Sequence, residues 1–161
     1  MKVVLYDEAM YPSGSAHGLV VAENPEFASN GIILRDQPEG IEVIARFSDS
    51  RYLVRDYTKG TIRGIHFGED DREAGAPASA DILNPEAVKL FIKLTHDQYY
   101  EHLKEYFGNT VIAFFTDEPC ALGRRSGAFR EWVPGMEKEI LEAGGNLEEL
   151  AALFEKKENK T

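Results

Sequence analysis

Two pairs of adjacent carboxylates mark where this chain could perform acid–base chemistry. Asp117-Glu118 follows the apolar run Val111-Ile112-Ala113-Phe114-Phe115, and Asp7-Glu8 follows Val3-Val4-Leu5-Tyr6. A carboxylate at the end of a strand stands between a low-dielectric core and an open cleft. There one acid can be held protonated near neutral pH while a neighbour stays ionised. If the two strands are sheet neighbours, about 4.8 Å apart, the acids at their ends fall within the roughly 5–10 Å separation that cleaves glycosidic bonds. The competing reading is an N-cap or an ion pair, because carboxylates with shifted titration also serve structure.

Other patterns exclude chemistry. Gly14-Ser15-Ala16-His17-Gly18 follows a strand as a phosphate loop would. It lacks both the third glycine of a dinucleotide fingerprint and the Lys-Ser/Thr ending of a P-loop, so nucleotide binding is excluded. The loop also lacks the G-x-S-x-G order of an esterase elbow, which makes Ser13 and Ser15 loop formers rather than nucleophiles. His17, His66, His96 and His102 have no metal-ligand spacing, and Glu69-Asp70-Asp71 departs from a calcium loop. No metal and no cofactor are expected. Tyr11, Tyr52, Tyr57, Phe129 and Trp132 carry faces that match the C–H side of a pyranose, although most aromatic residues belong to cores.

The elements that must position these residues follow from periodicity and punctuation. The first apolar run reads as a strand opening into the Pro- and Gly-rich loop 11–18. Three β-rich runs, 41–47, 52–57 and 61–67, are spaced as an antiparallel meander, a small β insertion over 41–67. Residues 68–80 read as a solvated loop. Asn84, Pro85 and Glu86 open a long helix over 84–108 that Gly108 stops, with Val88, Ile92, Thr95, Tyr99, Leu103 and Tyr106 as its packing stripe. The strand over 111–118 is unbroken by polar residues until its acidic end, which predicts burial on both faces in a parallel sheet. Residues 129–157 carry two helices, one around 136–143 and, after Gly144-Gly145, one capped by Asn146 with Glu149 three positions on. Residues 156–161 are expected to fray. The whole is an α/β chain in which ligands gather at the carboxyl ends of the strands.

The sequence has 161 residues, 43% of them apolar and 29% charged, which suits a single domain over 1–161. With 18 basic against 28 acidic residues, the net charge of −10 argues against nucleic acid and anionic membrane as partners. One cysteine, Cys120, forms no internal disulfide, and no apolar run is long enough for a bilayer. A cytoplasmic location is expected.

Four stretches, YDEAMYPSGSAHG, TIRGIHFGEDD, ADILNPEAVKLFIKLTHDQYYEHLKEYFGNTVIAFFTDEP and FREWVPGMEKEILEAGGNLEELAALF, carry a family resemblance. They resemble an internal portion of large bacterial glycoside hydrolases labelled family two, sugar-binding type, similar to rhamnosidase-like enzymes. The sharpest motifs are the YDE-x-x-YPSGSA loop and the FFTDEP strand end. The resemblance implies a (β/α)8 TIM barrel in which Glu118 is the general acid/base and Asp117 stands where related barrels carry asparagine. It also implies that Asp7, Glu8, Tyr11, Ser13, His66 and Trp132 line sugar subsites. A full barrel takes at least about 200 residues, so the chain is expected to be a partial barrel, with the second carboxylate on a later strand. Its partners would be an oligosaccharide or glycoside, and either further copies of itself or a C-terminal half of the barrel. The alternative reading is a non-catalytic carbohydrate-binding or interaction module derived from such an enzyme.

Overall fold

The computed structural model describes residues 1–8, 10–63 and 75–155. In chain order the strands are β1 (Val3–Tyr6), β2 (Asn30–Arg35), β3 (Glu42–Arg46), β4 (Tyr52–Tyr57) and β5 (Val111–Phe115). The helices are α1 (Leu19–Glu23), α2 (Pro85–Leu94), α3 (His96–Leu103) and α4 (Met136–Glu142), with 3-10 turns at Pro25–Phe27, Lys104–Tyr106 and Leu147–Leu153. The chain divides into two compact units, Met1–Ser29 with Lys59–Ser126, and Asn30–Thr58 with Gly127–Thr161.

In the first unit β1 and β5 pair in parallel, with Val3 opposite Val111 and, past a bulge, Leu5 opposite Phe114 and Tyr6 opposite Phe115. Parallel neighbours need a long crossover, and α2 and α3 lie on it. The start of α2 obeys the sequence signals: the Asn84 side chain accepts from the Glu86 N–H at 3.0 Å, and Pro85 takes the first turn. The single helix expected over 84–108 is instead broken at Thr95, whose φ of −121° and ψ of −77° are not helical. The Thr95 hydroxyl donates to the Phe91 carbonyl at 2.7 Å, a back-bond that bends helices. Ala87 and Phe91 of α2 pack with Ala16, Val20 and Ala80 as the core of this unit. Rings of His96, Tyr99 and Phe107 meet Phe114 of β5 at centroid distances of 4.6, 5.7 and 6.0 Å.

Burial of β5 on both faces does not occur. Val4, Ile112 and Phe115 remain 53, 55 and 52% exposed, because no further strand or helix covers that part of the sheet among the described residues. A two-stranded parallel sheet open to water is unusual, since parallel sheets are normally enclosed.

The second unit holds an antiparallel sheet in the order β2-β4-β3, with Asn30 to Arg35 running against Tyr57 to Tyr52. The β insertion therefore begins with β2, not at residue 41, and its expected third run at 61–67 is not a strand within the described residues. Thr61 forms only isolated bridges to Ala78 and Arg124, and 64–67 lie outside the described residues, as do His66 and the acidic turn at 69–71. Ile32, Leu53 and Phe47 build the core of this unit together with Trp132. Met136 and Ile140 of α4, then Leu150 and Phe154, pack against it. The Asn146 cap is present, its side chain accepting from the Glu148 N–H at 3.0 Å, but it opens a 3-10 turn rather than an α-helix. Among the described residues no helix is long and apolar enough to cross a membrane.

Candidate functional site

The ends of β1 and β5 are sewn together by side chains. The Asp7 N–H donates to the Phe115 carbonyl at 3.2 Å, carrying the ladder one residue past β1. The Asp7 carboxylate is 2% exposed. Its Oδ1 accepts from the Ser13 hydroxyl at 2.7 Å and its Oδ2 from the Thr116 hydroxyl at 2.5 Å, with His96 Nε2 3.9 Å away. Ser13, 3% exposed, also engages Asp117 twice. Its Oγ accepts from the Asp117 N–H at 2.9 Å, and its own N–H donates to the Asp117 carbonyl at 2.9 Å. Tyr6 donates its hydroxyl to Asp117 Oδ2 at 3.1 Å. Burial first, then this hydrogen bond and the charges of Asp117, Glu8 and Asp7, push the Tyr6 phenol up to about 12.

Glu8 is held by the loop that follows β1. Its carboxylate, 4% exposed, accepts from the Ser15 N–H at 2.9 Å and from the His17 N–H. Those amides converge because Ala16, His17 and Gly18 take positive φ of 46, 59 and 84°. Successive backbone amides in such a turn form an anion cradle. Here the anion is internal. The phosphate-loop look of Gly14 to Gly18 thus has a physical cause without a nucleotide. At Gly14, φ +124°, a Cβ would lie 2.6 Å from Ile82 Cγ2, so the loop closes only with glycine there.

Glu118 is different: it is exposed, while the residues before it are tied down. Its φ of +40° is left-handed, which costs a non-glycine residue about 1–2 kcal/mol. Pro119 next to it disfavours the right-handed alternative. Half-buried Tyr11 stands beside it. Burial, then the Glu118 carboxylate, raises the Tyr11 phenol above its ordinary value, and Arg124 opposes the rise with its guanidinium 5.2 Å from the Tyr11 ring centroid. Both partners are anchored through backbone: Arg63 N–H to the Tyr11 carbonyl at 2.8 Å, and reciprocal 2.9 Å bonds between Thr61 and Arg124.

The structure therefore brings Asp7, Ser13 and Asp117 into one buried network, and Tyr11 and Glu118 into another pair, while Glu8 serves the loop. Trp132 departs from the expected sugar-stacking role: it is 2% exposed in the core of the second unit. His66 lies outside the described residues. A cavity of about 520 Å³ is lined by Tyr6, Asp7, Glu8, His17, Tyr99 and His102 among others, and by none of Tyr11, Asp117 and Glu118. Sequence reasoning missed Tyr6, Thr116, His96 and Arg124. The first two flank the acidic pairs, so strand adjacency could have found them, whereas nothing local marks His96 or Arg124. Among the described residues no group of three or more His, Cys, Asp or Glu side chains could hold a metal ion. No family model, curated protein or solved structure matches the chain.

Proposed function

We propose that this chain is the acid/base-bearing portion of a glycoside hydrolase, with Glu118 as the general acid/base. The observation that carries the reading is a contrast among the four strand-end acids. Asp7 and Glu8 are buried and already accept hydrogen bonds, and Asp117 is anchored through backbone and carboxylate, yet Glu118 stays exposed beside a protonated phenol. In this role Glu118 gives its proton to the departing glycosidic oxygen, and Asp117 holds the strand end on which it sits. The second catalytic group comes from outside these four acids. The parallel β1–β5 pair with its helical crossover supports a partial (β/α)8 barrel, and its uncovered residues support completion by further parallel strands. The acidic charge and the lone cysteine fit a cytoplasmic enzyme.

Hydrolysis of a panel of aryl glycosides by the chain and by Glu118→Gln, with circular dichroism as the fold control, tests this. General acid–base catalysis contributes roughly 10²–10⁴-fold, so a loss of that size with the fold intact is expected. An unchanged rate would overturn the assignment. The second reading, a carbohydrate-binding module without turnover, is favoured by the engagement of Asp7 and Glu8 in structure. It predicts calorimetric binding of a saccharide with no hydrolysis.

A further inference from the structure

Ser13 lies in the loop that the family resemblance would place against sugar, but its burial and bonding leave it nothing to offer a ligand. A hydroxyl has one proton, and that of Ser13 goes to Asp7 Oδ1 at 2.7 Å. With its rotor fixed in this way, its lone pair faces the Asp117 N–H at 2.9 Å, and the Ser13 N–H takes the Asp117 carbonyl at 2.9 Å. Both backbone polar groups of Asp117 thus end on a single residue. The residue before is held as well, Thr116 giving its hydroxyl to the other oxygen of Asp7. Immediately beyond this bracket the chain turns left-handed at Glu118.

We propose that Ser13 is a positioning residue for Glu118, its hydroxyl and amide clamping the backbone of Asp117 so that the next carboxylate is presented toward Tyr11. The proposal rests on the reading of Glu118 as acid/base for its meaning, but not for its test. Asp7 orients the clamp, and Gly14 lets the loop lie close enough to Ile82 to hold it there. Without the hydroxyl the Asp117 N–H loses its partner, and the left-handed turn at Glu118 loses the fixed point that precedes it.

Tyr11 reports the outcome, because the Glu118 carboxylate adds to burial in raising its phenol. The experiment follows the Tyr11 ring by nuclear magnetic resonance in protein labelled with ¹³C at tyrosine Cζ, assigned with Tyr11→Phe. The unmodified chain, Glu118→Gln, Ser13→Ala and Ser13→Thr are compared. In Glu118→Gln the Tyr11 titration is expected to fall. Ser13→Ala should fall toward the same value, and Ser13→Thr, which keeps a hydroxyl, should restore it. A merely structural serine would not produce this pattern of loss and rescue in a folded protein. If Ser13→Ala does not fold, Ser13→Cys, of similar volume and weak as a donor, takes its place. An unchanged Tyr11 titration in the hydroxyl-free variant, or a fall that threonine does not rescue, overturns the proposal. The readout does not use hydrolysis, so the clamp stands or falls alone, whatever the aryl glycoside assays return for Glu118.

Discussion

Tyr6 and Asp117 meet across the two strand ends, hydroxyl to Oδ2 at 3.1 Å, although 111 positions separate them in the chain. Burial, and after it this contact, keeps the phenol protonated among three carboxylates, so the first unit loses stability at alkaline pH. The phenol titrates near 10.0 when the chain is unfolded and at about 12 when folded. Between these values the unfolded chain has lost a proton that the folded chain retains, so rising pH favours unfolding. The contribution is complete below pH 10 and fades as pH climbs through about 12. Discounted for partial exposure of the ring, it amounts to about 1 kcal/mol. Denaturant unfolding from pH 9 upward should show Tyr6→Phe losing less stability than the unmodified chain, and parallel losses would refute the coupling.

Asp7 and Glu8 are both buried acceptors, but their donors differ in kind. Ser15 and His17 give Glu8 backbone amides that cannot turn, whereas Asp7 accepts from two hydroxyls, that of Ser13 fixed by Asp117 and that of Thr116 able to rotate. Glu8→Gln sets an amide NH₂ against a fixed N–H and should cost about 1–3 kcal/mol. Asp7→Asn should cost less, because a hydroxyl can rotate to accept. Urea midpoints for the two variants decide the matter, and the reverse order contradicts the cradle around Glu8.

Val4, Ile112 and Phe115 present water with an apolar surface on a sheet whose outer edges have no strand partner among the described residues. Such edges template association. We expect a mass in solution above that of one chain, increasing with salt as the net charge of −10 is screened. Ile112→Lys should return the protein to monomer. Light scattering that finds only monomer for the unmodified chain at about 0.15 M salt removes the expectation.

Signals written in adjacent residues were legible in the sequence, and signals written across space were not. Asn84-Pro85-Glu86 and Asn146 announce caps that local backbone geometry realises without help from elsewhere. The break at Thr95 is invisible because the apolar stripe runs through it, whereas the Phe91 back-bond and the ring packing of His96 on Phe114 accompany it only in three dimensions. Asn and Gly are poor strand formers, yet Asn30 and Gly31 are paired with Tyr57 and Asp56 in the ladder of β2 and β4, where tertiary pairing outweighs propensity. Conversely, the β-branched run from Thr61 has strand propensity but makes only isolated bridges within the described residues. The acidic strand ends were readable as a cluster. That three of the four acids hold structure and one faces outward depends on donors brought from the loop after β1 and from the opposite strand end.

The two units interleave along the chain, each assembled from two separated stretches. This has a consequence in time. The antiparallel sheet of β2, β4 and β3 closes over short loops and can form early, but its cover from Trp132 and α4 is made much later. The bonds between Ser13 and Asp117 span 104 positions, and contacts of such separation form slowly. A growing chain therefore holds β1 and its glycine loop in waiting until the 104 positions to Asp117 have been made, exposed to wrong strand partners and to proteases. Expressing either half of the sequence would yield a fragment of both units and the whole of neither, and the seam between Ser13 and Asp117 closes only once both of its distant stretches have been made.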